Sequence, residues 1–145
     1  MAVSEVARDE MERNKAIVRQ GFEEIANAHD PGKLKKFIAD DFIDHSIFGR
    51  SDTYDEKVRN ENDLNTAFPD YRIEIIDIMA EGDKVVTRSI FTGTHTGDFA
   101  GVPGTGRKFS IVEIDIFRME DGKAVEHWDA ADTASLYRQL GIPLR

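Results

Sequence analysis

The chain contains no cysteine, only four prolines and a single tryptophan in 145 residues. Without cysteine, neither a disulfide framework nor a thiolate metal site can form. Basic residues are scarce. Nineteen Lys and Arg stand against 28 Asp and Glu, leaving a formal net charge of −9. That balance argues against nucleic acid or an anionic membrane as a partner. No apolar run approaches the ~20 residues needed to cross a bilayer. The opening MAVSEVARDEMERNK has no apolar stretch of the kind a signal peptide carries. The expectation is a cytoplasmic protein. No internal repeat, low-complexity tract or linker divides the chain, so one domain is expected over residues 1–145, with 1–9 frayed.

What is present is an ordinary globular mixture, 40% hydrophobic and 32% charged. Met11, Val18, Phe22 and Ile25 fall on one stripe of a helix running from Glu10 to His29. Asp30-Pro31 caps a second helix that buries Leu34, Phe37 and Ile38. A short strand follows at Phe42-Ile43-Asp44-His45. Thr53-x-x-Glu56 reads as the capping box of a third, polar helix ending near Phe68. Beyond Pro69 the period becomes strand-like. Apolar parity switches at Ile75-Ile76, which suggests a bulge. A long strand from Lys84 to His95, a glycine-rich loop from Gly97 to Gly106, and a hairpin turning at Asp121-Gly122 complete the sheet. Asp132 is placed to cap a final helix. The fold class expected is α+β: a cone-shaped half-barrel of curved, mainly antiparallel sheet, with three N-terminal helices on its concave face and a short C-terminal helix.

The hairpin strands mix apolar residues with Glu113, Asp115, His127 and Asp129. Ionisable groups in buried strands are costly unless paired or used. Which of them meet depends on the turn. A two-residue turn at Asp121-Gly122 pairs Asp115 with Trp128 and puts Asp129 on the opposite face from Glu113. A three-residue loop, Glu120-Asp121-Gly122, sets Asp115 against His127 and Glu113 against Asp129.

DFIDHSIFG, FPDY, GTHTGDFAGVPGTGRKFS, DIFRMEDGKAVEHWDAAD and RQLG, in that order, resemble the SnoaL-like polyketide cyclases, or ester cyclases, of the nuclear-transport-factor-2-like cone fold. The resemblance covers roughly Asn14 to Pro143. It implies a homo-oligomeric, cofactor-free enzyme with a hydrophobic pocket. Antibiotic-pathway members close a ring by intramolecular aldol condensation on an aromatic polyketide methyl ester. The family's acid/base aspartate falls on Asp129. Its pocket glutamine, histidine and asparagine fall on Glu113, Asp115 and Asp44, so three polar positions have become acidic. The shared pocket selects the three-residue loop. In that register Glu113 perturbs Asp129, and Asp115 pairs with His127.

The chemistry expected is proton abstraction alpha to a carbonyl by Asp129, followed by return of that proton to a new alkoxide. The ligand would be a small hydrophobic carbonyl compound. Asp44, His45, Arg88, His95, Glu113, Asp115 and His127 are the expected pocket residues. Two alternatives remain: a non-catalytic binding or association domain, and epoxide-hydrolase-like water activation by Arg88 held between aspartates. No metal is expected, because His45, His127 and the nearby acids lack a local ligand spacing. The loop before Phe109 fails as a phosphate loop, since it leads into a strand. Val112, Ile114, Ile116 and Trp128 share an apolar outer face that suggests a homodimer.

Overall fold

The structure is a computed structural model and describes residues 3–144. Ser4 caps the first helix, α1 (Glu5–Gly21), its side chain accepting from the Ala7 amide. The helix therefore begins five residues before the Glu10 expected from sequence, within the segment expected to fray. A π-helical turn (Phe22–Asn27) continues it and carries Phe22 and Ala26 into the core. Asp30 caps a 3-10 turn (Pro31–Lys33) that leads into the single turn of α2 (Leu34–Phe37). The chain then enters β1 (Ile38–Asp44), which begins before the Phe42-Ile43-Asp44-His45 stretch expected from sequence and takes in Ile38, expected on the second helix. Thr53 and Glu56 form the expected capping box of α3 (Tyr54–Ala67).

Four long strands follow: β2 (Arg72–Glu81), β3 (Lys84–Thr94), β4 (Lys108–Glu120) and β5 (Lys123–Ala131). The sheet order is β1-β5-β4-β3-β2; β1 runs parallel to β5 and the remaining pairs are antiparallel. The parity switch in β2 is a register shift between Ile75 and Asp77. Asp132 caps α4 (Thr133–Leu140) through the Ser135 amide, and Gly141 closes it in the left-handed conformation. The core joins Phe22, Leu34, Phe68, Phe91, Phe109 and Leu136 between helices and sheet. Gly97 seats the glycine-rich loop on α3: a Cβ there would stand 2.2 Å from the Thr66 carbonyl oxygen.

The β4–β5 register corrects both sequence alternatives. The turn is the two-residue one, with Glu120 opposite Lys123 and with Asp121 and Gly122 both at positive φ. An extra residue, Val125, then bulges out of β5 between the Met119–Ala124 and Arg118–Glu126 pairs. Asp115 consequently stands opposite Asp129, Phe117 opposite His127, and Glu113 opposite Ala131. The three-residue loop is absent. The bulge nonetheless returns Glu113, Asp115, His127 and Asp129 to one face, the side lined by the helices.

Candidate active site

Between the helices and the concave face of the sheet lies a cavity of about 640 Å³. Its apolar wall includes Val18, Phe22, Leu34, Phe42, Phe48 and Phe117. Its polar wall comes from β4 and β5, with Glu113, Asp115, His127 and Asp129, and from α3, with Lys57 and Glu61.

The polar wall is built around His127. The Asp44 carboxylate at the end of β1 lies 2.7 Å from Nδ1, and Asp115 lies 2.9 Å from Nε2. Burial would push the imidazole down, but hydrogen bonds to Asp115 and Asp44, with their charges, raise it to about 9. Both ring nitrogens therefore donate. The other oxygen of Asp115 accepts from Thr87 Oγ1 at 3.1 Å. Lys57 Nζ reaches the second Asp44 oxygen and Glu61, each at 2.7 Å. Burial acts to raise Asp44, yet His127 and Lys57 hold it well below the usual carboxylate range. Burial likewise opposes the charge on Lys57, and Glu61 and Asp44 outweigh it, holding the ammonium above its ordinary value.

Asp129 lies beside this network and outside it. One carboxylate oxygen accepts from Ser46 Oγ at 2.5 Å and the other from the Ile47 amide at 2.8 Å. Both donors belong to the segment that follows β1, so the parallel β1–β5 pairing fixes the orientation of Asp129. Glu113 is buried on the same wall, and among the described residues none donates a hydrogen bond to its carboxyl. Burial, then the charges of Asp115 and Asp129, push it well above the usual carboxylate range.

Of the residues expected from sequence, Glu113, Asp115, His127 and Asp129 line the cavity. Asp44 is fully buried behind His127, one step from the cavity. Three expected pocket residues lie elsewhere. Arg88 points outward from β3 and pairs with exposed Asp77 at 2.6 Å, so it does not stand between the aspartates. His45 turns to the outer face, where it contacts Glu126 at 2.8 Å and stacks on Trp128. His95 is buried against Phe68 and Phe99 and braces the glycine-rich loop through Thr105. Strand parity explains Arg88, which alternates with inward Thr87 and Ser89.

Sequence reading missed Ser46, Lys57, Glu61 and Tyr71. Lys57, Glu61 and Leu64 lie four and three residues apart, one stripe of α3, but two charges on a polar helix read as solvated. Asp115, His127 and Asp129 offer ligand atoms within 4.8 Å of one another. In this arrangement His127 Nε2 is engaged by Asp115 at 2.9 Å and Nδ1 by Asp44 at 2.7 Å.

The comparisons agree with this architecture. The chain is 39% identical over 71 residues to the aklanonic acid methyl ester cyclase DnrD of Streptomyces peucetius, covering 49% of each chain. It thus spans about half the length of the curated relative it matches. Among solved structures, AclR of Streptomyces galilaeus, described as a proposed hydroxylase, superposes with a TM-score of 0.79 at 33% identity, covering 92% of this chain and 99% of its own. IdmH of Streptomyces antibioticus, described as a proposed polyketide cyclase, superposes at 0.76 with 29% identity, covering 89% and 99%. The family model for SnoaL-like polyketide cyclases matches residues 16–140, and the chain belongs to that family.

Proposed function

We propose that the protein is a cofactor-independent acid/base enzyme of the cyclase type, with Asp129 as its proton-transfer group. The observation that carries this reading is the setting of Asp129. Its carboxylate is oriented by Ser46 and the Ile47 amide, and it opens on a largely apolar cavity of about 640 Å³. A cavity of that size accepts a multi-ring aromatic ligand and is neither shallow nor collapsed, which favours catalysis over a purely associative role.

In the reaction, an Asp129 oxygen removes a proton from the carbon alpha to a carbonyl. The electron pair moves into the carbon–carbon bond and the carbonyl oxygen becomes an enolate. The enolate carbon attacks a second carbonyl of the same molecule, closing a ring. Protonated Asp129 returns its proton to the resulting alkoxide, so no external oxidant or reductant is consumed. The Asp44–His127–Asp115 chain holds the polar wall beside the site in one arrangement.

DnrD's description names an aklanonic acid methyl ester, and an aromatic polyketide methyl ester is the substrate class proposed here. Incubation with such an ester, followed by mass spectrometry, tests it. A cyclised product of unchanged mass supports cyclisation, whereas a gain of one oxygen supports the hydroxylase reading that AclR's description raises. We further propose that the outer sheet face, with exposed Val112, Ile76 and Met79, pairs two copies of the chain in solution. A monomer by light scattering contradicts that pairing.

A further inference from the structure

Two polar groups on the cavity wall lack partners among the described residues. The Tyr71 side chain is buried and lines the cavity, and its hydroxyl has no hydrogen-bond partner among the described residues. Its ring is packed on two sides. It stacks on His29 with 4.4 Å between centroids and meets the Phe91 edge at 5.6 Å. His29 also binds the Tyr71 carbonyl through Nε2 at 2.8 Å. Glu113 is the second group, 6% exposed, with Ser89 opposite it across the β3–β4 ladder.

A buried hydroxyl with no partner destabilises a fold unless a ligand or water completes it. Tyr71 lines the same cavity as Lys57, Glu61 and Glu113. Burial first, then neighbouring acids, favours the un-ionised form of both groups. A phenol and a carboxylic acid in that state can each donate to one oxygen. Neither adds a charge that the surrounding carboxylates would repel.

We propose that Tyr71 and Glu113 form the subsite for the oxygen of an enolisable carbonyl, donating to that oxygen as it becomes an enolate. The inference rests on Asp129 as the proton-transfer group. As the carbon–hydrogen bond breaks, the proton passes to Asp129 and the electron pair ends on the oxygen between Tyr71 and Glu113. Nothing else is consumed. The ligand class is an apolar aromatic ketone or β-keto ester whose carbonyl lies beside an acidic carbon–hydrogen bond.

The test is an absorbance titration with 4-nitro-1-naphthol, whose coloured naphtholate mimics an enolate on a fused ring. The wild-type protein should bind it. Tyr71→Phe should weaken binding by roughly 10- to 100-fold, the loss of one hydrogen bond to a charged oxygen. Its melting temperature should stay equal or rise, because the deleted hydroxyl has no partner in the fold. Glu113→Leu should weaken binding similarly, and Glu113→Gln, which keeps an N–H donor, should recover part of it. Asp129→Asn should bind the naphtholate at least as tightly as wild type, since a like charge is removed. Tyr71→Phe binding within twofold of wild type, or no binding by wild type, overturns the subsite. If Asp129→Asn retains proton transfer while Tyr71→Phe loses the naphtholate, the subsite stands and the role of Asp129 fails.

Discussion

Asp115 and Asp129 stand directly opposite each other across the β4–β5 ladder, yet their carboxylates bind different partners. Asp115 turns to His127 and Thr87, while Asp129 turns to Ser46 and the Ile47 amide. Two acids in facing positions would repel if both addressed the same space. Dividing their hydrogen bonds leaves one to hold an imidazolium and the other to face the cavity.

Ser46→Ala tests how far Asp129 depends on its orientation. The variant leaves the Ile47 amide as the one remaining donor. A roughly tenfold fall in turnover is expected, with little change in melting temperature, since misplacing a reacting group is costly. Steady-state kinetics beside thermal unfolding separates the two effects. Unchanged turnover would show that Ser46 does not orient the carboxylate.

His127 should give the fold a basic-side pH dependence. Its pKa is raised in the folded state to about 9, against about 6.5 when unfolded. The stabilisation is therefore complete below about pH 6.5 and is lost as pH rises through about 9, amounting to on the order of 3 kcal/mol at most. Melting temperatures between pH 6 and 10 should fall more steeply for wild type than for His127→Gln. Parallel curves would contradict the imidazolium.

Glu113 should destabilise the fold at neutral pH. Its folded pKa is raised, so the unfolded chain ionises first and stability declines as pH climbs above the usual carboxylate range. Glu113→Gln keeps the shape and removes that cost. The variant should melt higher than wild type at pH 8, with the gain vanishing near pH 4. A lower melting temperature at pH 8 would mean that the carboxylate is paired.

Asp44 carries the opposite sign. Its pKa is held low by His127 and Lys57, so its contribution is present above the usual carboxylate range and lost on acidification. Asp44→Asn leaves Lys57 and His127 without their shared anion, and the expected loss is roughly 3–5 kcal/mol at pH 7. Urea denaturation measures it. A loss under about 1 kcal/mol would show that Glu61 and Asp115 suffice.

Much of this was legible in the sequence. Helix caps at Asp30, Thr53 and Asp132 read directly, because capping is local chemistry. The β2 irregularity showed in the parity of its isoleucines. The hairpin register did not. It depends on Val125, an apolar residue in an apolar strand, and nothing local distinguishes a bulged residue from a paired one. The shared face of Glu113 and Asp129 was nevertheless reached, because the bulge restores the parity that an odd loop would have given. Arg88 was misplaced because an arginine flanked by Thr87 and Ser89 gives no sign of which face is buried. Lys57 and Tyr71 went unseen because their chemistry comes from tertiary neighbours far away in the chain.

The role of Asp129 can be tested without knowing the natural substrate. Proton exchange at the alpha carbon of an aromatic β-keto methyl ester, followed by NMR in heavy water, reads the proposed step alone. Wild type should accelerate exchange, and Asp129→Asn should lose about 100-fold or more of that acceleration while still binding 4-nitro-1-naphthol. Exchange by a folded Asp129→Asn variant at the wild-type rate would contradict the central claim.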